Sequence, residues 1–213
     1  MGVFDPLVNG LWFALGLGKK HKKFKKTDPV QFKSKLGEFI IFNVSAINPN
    51  FIQGGIQGAT HQWDDKLDDK GSFWQHTGAA RLQPDGTYLT IEAFSHGVDY
   101  GILDNYLNDK YQLEAYTIDI QKETLERIWE TAKMLVRKKY SIEMIGGYLV
   151  PKAIRDMFIN HDRKICSAMW TVIMDKFNIP IVRKNISTEW GTPGDVHDGC
   201  YPQRQFGYSS FNF

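Results

Sequence analysis

Trp74-Gln75-His76-Thr77-Gly78-Ala79-Ala80-Arg81-Leu82, then Gln83-Pro84-Asp85-Gly86, then Thr87-Tyr88-Leu89-Thr90-Ile91-Glu92-Ala93-Phe94, is the stretch on which the fold turns. Two strand-like runs flank Pro84-Asp85-Gly86, a strong turn signal, so the pattern is that of an antiparallel hairpin. In such a hairpin the returning strand comes back beside His76 near Ile91 to Phe94. Glu92 falls there, with Thr90 on its face. A carboxylate accepting from an imidazole N–H fixes the tautomer and supports the imidazolium. The plainer readings are an exposed strand carboxylate and a hydrogen-bonded rim histidine. Gly78 shares the face of His76, and its missing side chain leaves room for a substrate to approach.

Working outward, Gly37 to Phe42 reads as a buried strand and Tyr111 to Ile118 as another. Residues Asn48 to Gly71 hold Gly, Asn, Gln and an acidic stretch, and read as a long loop or a short helix with a lid-like loop. The clearest helix carries Leu125, Ile128, Trp129, Ala132, Leu135 and Val136 at helical spacing, with Asp119 as its candidate cap. A second helix covers Cys166 to Phe177, where Met169, Trp170, Ile173, Met174 and Phe177 repeat the pattern, and Asn178-Ile179-Pro180 ends it. Strands grouped before helices predict an α+β fold: an antiparallel sheet packed against helices.

A chain of 213 residues that is 42% hydrophobic suits one compact domain with a sizeable core. Its 23% of charged residues argues against global disorder. The net charge of +2 conceals an asymmetry. Taking the six lysines and one acid of residues 1–26 from totals of 26 and 24 leaves 20 basic against 23 acidic residues. The body is mildly acidic and the arm strongly basic. The divisions expected are an apolar and basic arm over 1–28, the folded domain over 29–200, and an aromatic tail over 201–213.

Within the arm, an apolar run precedes the lysines, the reverse of a secretion signal, and it is too short and too rich in Gly to span a bilayer. The arm therefore reads as a segment docking onto a larger protein assembly, as an interfacial membrane anchor, or as a mobile tail. The lysine run has no aromatic platform or recognition motif beside it, so no specific nucleic acid is expected. Cys166 and Cys200 are the only cysteines, and no cluster has zinc spacing, so neither a disulfide framework nor a metal is expected. His61 with Asp64 and Asp65 has only generic spacing and reads as a solvated loop.

Cys166 stands one helical turn before Met169 and Trp170, on the buried face of its helix. An inert buried thiol is the ordinary reading of such a residue. Position argues for more: at a helix N-terminus the macrodipole and the free N–H groups favour thiolate, and the same N–H groups stabilise an oxyanion. His96, in Ser95-His96-Gly97, reads as a turn residue close enough to Glu92 to line a cleft. Cys200 reads as a bystander.

Several stretches, in order, resemble the circularly permuted NlpC-type branch of the papain-like cysteine hydrolases, the group of the YiiX-like proteins and the lecithin retinol acyltransferase relatives. They are Gly37-Glu38-Phe39-Ile40, Ile56-Gln57-Gly58-Ala59-Thr60, His76-Thr77-Gly78, Glu92-Ala93 with Gly97-Val98 and Leu103, Tyr140 with Gly146-Gly147, Cys166-Ser167, and Thr192-Pro193-Gly194-Asp195. Glu38, Trp74-Gln75 and Ala168 depart from the family's usual residues, and the acidic loop from Trp63 to Gly71 is an insertion. The resemblance implies Cys166 as nucleophile, His76 as general base and later acid, and Glu92 as the orienting group. It implies the backbone N–H of Cys166 as an oxyanion donor and Tyr140 in the cleft, which would also hold Gly78, Ser167 and His96.

The activity implied is a cysteine amidase or peptidase cutting peptide bonds of bacterial peptidoglycan, with the stem peptide as substrate and no cofactor. A wall enzyme without an export signal needs another route, so a bacteriophage virion or tail component, anchored through residues 1–28, is the expected setting; a cytoplasmic location is the alternative. The competing expectations are a lipid acyl hydrolase or acyltransferase at a membrane surface, and a catalytically silent structural component.

Overall fold

The computed structural model describes residues 26–47, 74–94, 96–139, 166–182, 191–200 and 204–209. The arm up to residue 25, the loop between Asn48 and Gly71, and Tyr140 with Gly146-Gly147 lie outside the described residues.

Among these residues the fold is α+β: a six-stranded antiparallel sheet packed against helices. The strands are β1 (Phe39–Ala46), β2 (His76–Leu82), β3 (Tyr88–Phe94), β4 (Gly97–Ile102), β5 (Tyr111–Thr117) and β6 (Arg204–Ser209), in the order β4-β3-β2-β1-β5-β6. The helices are α1 (Pro29–Lys33), α2 (Lys122–Lys133), α3 (Cys166–Lys176) and α4 (Pro193–Cys200), and a 3-10 turn covers Leu103–Tyr106.

β1 is buried at every position, because both faces of the central sheet are covered. Its run Phe39-Ile40-Ile41-Phe42 is continuous rather than alternating for that reason. Phe39 and Ile41 face α2, α3 and α4, in a core with Ile91, Ile128, Trp129, Met169 and Trp170. Trp129 and Trp170 stack at 6.3 Å, and Phe39 meets Trp129 edge-on at 6.5 Å. Ile40, Phe42 and Val44 face the other way, toward Phe32, Tyr88, Leu103, Leu113 and Tyr208. Fully burying side chains of this size contributes roughly 1.5–3 kcal/mol each.

The β2–β3 hairpin closes where the turn signal lies. Gln83 N–H donates to Thr87 O at 2.8 Å, Asp85 accepts from the Thr87 N–H at 2.9 Å, and Gly86 takes a φ of +82°, in the left-handed region. α1 begins at Pro29 with Asp28 as its cap, its carboxylate accepting from Val30 and Gln31.

One local expectation, the cap of α2, is corrected, and three elements had gone unassigned in the sequence. Asp119 does not cap α2, whose N-cap is Gln121, with no side-chain hydrogen bond. β4 follows β3 directly: Gly97 and Gly101 dilute its apolar alternation, which hid the strand. Pro193–Cys200 forms a helix. The aromatic tail beyond residue 200 supplies β6, which pairs with β5 from Gln112↔Ser209 to Thr117↔Arg204. Thr27 N–H also donates to Ser209 O at 3.0 Å, tying the start of the domain to that strand.

Candidate active site

The register explains why His76 and Glu92 meet. β2 and β3 pair from Leu82↔Tyr88 to Ala79↔Ile91, and continuing that register sets Glu92 near Gly78, one pleat from His76 on the same face. The contact is direct: His76 Nε2 lies 2.6 Å from Glu92 Oε2. Glu92 is buried, while one-fifth of the His76 side chain reaches solvent. With Nε2 committed to the carboxylate, Nδ1 is the ring nitrogen left for another partner.

That partner comes from α3. The β2–β3 ladder stops at Ala79↔Ile91, so the Thr77 N–H lies beyond it, and the thiol of Cys166 takes that N–H instead. Cys166 also accepts from the Ser167 N–H and is hydrogen-bonded to His76. The helix is held in place by the Trp170 indole, which donates to Ile91 O at 2.9 Å. Packing of Met169, Trp170 and Ile173 against the sheet fixes the helix axis, and the first residue of α3 is thereby delivered to the first residue of β2.

The electrostatics follow from this geometry. Burial alone raises a thiol's pKa, but at Cys166 the hydrogen bond and charge of His76, with the N–H groups of Thr77 and Ser167, outweigh it and bring the pKa below the ordinary value. Burial likewise lowers an imidazole's pKa, yet the hydrogen bonds and charges of Cys166 and Glu92 raise that of His76 to about 10. Each group thus favours the charged form of the other, thiolate beside imidazolium. Cys200 is the internal contrast. It is buried beside Ile181 O, and burial, followed by the charge of Glu114, raises its pKa.

Thr90 and Tyr106 complete the carboxylate's surroundings. Thr90 Oγ1 donates to Glu92 Oε1 at 2.5 Å, and Tyr106 Oη donates to Oε2 at 2.7 Å. Tyr106 was not singled out in the sequence: it sits in a single 3-10 turn without periodicity, and only the pairing of β4 with β3, after which the turn follows, carries it to Glu92. Phe94, also not singled out, stacks on His76 at 5.9 Å and 17°.

The remaining expected site residues fall as follows. Gly78 is buried, and a Cβ there would meet the Phe42 ring and sit 2.9 Å from Glu92 Cγ. Its missing side chain admits those two groups, a correction to its reading as space for substrate. Ser167 is buried and offers its N–H to the thiol. His96 is two-thirds exposed, 3.7 Å from Asp99, and stacks on the Phe94 ring at 5.3 Å, two rings from Cys166's partner. Tyr140 lies outside the described residues.

A second buried polar group lies on the helix-covered face. Glu114 Oε2 is 2.6 Å from His197 Nδ1 and accepts from Tyr116 Oη at 2.6 Å. Asn43 stands between Thr77 and Glu114 in the register and accepts from Thr77 Oγ1 at 2.6 Å. Asn43 Nδ2 and both polar atoms of Gln112 have no hydrogen-bond partner among the described residues. α4, which carries His197, is capped reciprocally: Thr192 N–H and Oγ1 donate to Asp195 Oδ2 at 2.8 and 2.7 Å.

Among the described residues no group of three or more His, Cys, Asp or Glu is placed to hold a metal, and no helix is long and apolar enough to cross a membrane. No family model matches the chain, and neither a curated protein nor a solved structure matches it.

Proposed function

We propose that this protein is a cysteine hydrolase of permuted papain-like type, an amidase or peptidase acting on peptide bonds of bacterial peptidoglycan. The observation that carries the chemistry is a thiol at a helix start, hydrogen-bonded to an imidazole that is itself seated on a buried carboxylate. The substrate class rests on the motif resemblance. Delivery as a virion or tail component goes with that substrate, and the apolar and basic composition of residues 1–28 supports docking of that arm onto a larger assembly.

The reaction follows from the resting charges. The Cys166 thiolate attacks the scissile carbonyl carbon, forming a C–S bond and an oxyanion. The oxyanion is stabilised by N–H groups at the start of α3, the backbone N–H of Cys166 among them. Collapse breaks the C–N bond as the His76 imidazolium gives its proton to the leaving amine. Neutral His76 then takes a proton from water, whose oxygen attacks the thioester. The C–S bond breaks, the acid product leaves, and thiolate and imidazolium are restored. Glu92 stays ionised and holds the ring.

The test pairs digestion of purified muropeptides with a Cys166→Ala control. Cleavage by the wild type that disappears in the variant is the expected result. Cleavage that persists in the variant removes Cys166 from the mechanism. Inactivity on wall fragments combined with cleavage of acyl lipids transfers the same chemistry to a lipid substrate. Inactivity on both, with ordinary alkylation of Cys166, means a structural role.

A further inference from the structure

Glu92 is saturated by three donors from three parts of the chain. Thr90, on its own strand, holds Oε1, while His76 from β2 and Tyr106 from the 3-10 turn share Oε2. The Tyr106 ring is fixed on several sides: 6.3 Å from the His76 ring, 5.8 Å from Phe42 and edge-on to Tyr111 at 5.3 Å. Its hydroxyl is therefore a held dipole whose positive end points at the carboxylate oxygen that His76 uses.

We propose that Tyr106 is a positioning residue that, acting through Glu92, sets the pH window over which Cys166 and His76 form their ion pair. This rests on the thiol-hydrolase reading of the site. A dipole aimed this way stabilises each deprotonated form in the cluster. It favours thiolate over thiol, and it favours neutral imidazole over imidazolium. Burial, followed by the charge and hydrogen bond of Glu92, raises the pKa of the Tyr106 phenol far above its ordinary value, so it remains a donor throughout.

Removing the hydroxyl therefore moves both edges of the window upward together. A loss that only loosened the packing would act differently. It would weaken the coupling between thiol and imidazole and narrow the window from both sides. The other groups facing the cluster stay in place in either case: Cys166 from α3, Tyr111 from β5, Asp99 opposite Glu92 on β4, and His96 beyond Phe94.

The experiment compares the full-length wild type with Tyr106→Phe, which keeps the ring, and Tyr111→Phe, which removes a neighbouring hydroxyl not bonded to Glu92. Iodoacetamide alkylation of Cys166, followed by peptide mass, reads the thiolate edge. The ring-proton shift of His76, assigned with His76→Asn, reads the imidazolium edge. We expect Tyr106→Phe to raise both midpoints by about half to one pH unit, with Tyr111→Phe superimposed on the wild type. Unchanged midpoints in Tyr106→Phe overturn the proposal, as does a thiolate edge that rises while the imidazolium edge falls. A wild-type Cys166 that titrates like a free thiol near ~8.5 sinks the ion pair itself, and the proposal with it.

Discussion

Three side chains and two backbone N–H groups define the proposed chemistry. Each acts on the charge of the next: Glu92 supports imidazolium, imidazolium supports thiolate, and the N–H groups of Thr77 and Ser167 hold the sulfur where it is formed. Glu92→Gln keeps the shape and removes the charge. The imidazolium midpoint then falls from about 10 toward the ordinary 6.5, and the thiolate midpoint rises. Alkylation of Cys166 at mildly acidic pH slows accordingly, and under the proposed function turnover on muropeptides drops by about 10²-fold or more. Gly78→Ala tests the close packing behind the site. Its new methyl group collides with Phe42 and with Glu92 Cγ, so urea denaturation should show a loss of about 1–3 kcal/mol.

At the scale of elements, the site depends on two strands ceasing to pair. β2 and β3 separate after Ala79↔Ile91, and the start of α3 supplies the acceptor that the lost ladder leaves wanting. α4 braces the same helix-covered face, and its reciprocal cap fixes where it begins. Asp195→Ala leaves the Thr192 N–H without this acceptor in a buried position, so a destabilisation of about 1–2 kcal/mol is expected in urea titration. β6 is held by the β5 ladder and by Tyr208, which is buried against Phe32 at 5.5 Å. Tyr208→Ala should cost about 3 kcal/mol and speed hydrogen exchange of the β5 amides, which an appendage would leave unchanged.

For the whole molecule, the ion pair links folding to pH. Cys166 has a lowered folded pKa, so its contribution grows as pH rises from that value to the unfolded thiol's 9.0. His76 has a raised folded pKa, so its contribution is fully present below 6.5 and is lost as pH rises toward about 10. Combined, the two trends oppose each other where their ranges overlap, and above about 9 only the loss from His76 remains, running toward about 10. Subtracting the urea midpoints of a Cys166→Ala, His76→Ala double variant from those of the wild type isolates this profile, since other groups cancel. A difference that does not vary with pH contradicts the ion pair.

Much of the fold was legible because it is local. Continuous apolar residues marked β1, the helical spacing of Leu125, Ile128 and Trp129 marked α2, and Pro84-Asp85-Gly86 joined β2 to β3. A hairpin register is set by its turn, so the nearness of His76 and Glu92, sixteen positions apart, followed from the sequence alone. The contact between residues 76 and 166 has no such local code. The motif order suggested it, but it depends on how α3 packs across the sheet. Tyr106, β4 and β6 were hidden for the same reason: a lone 3-10 turn, a glycine-diluted edge and an aromatic tail gain their roles from neighbours distant in sequence. Periodicity reports which face of an element is buried; it does not report which other element buries it, and that choice belongs to the packed core.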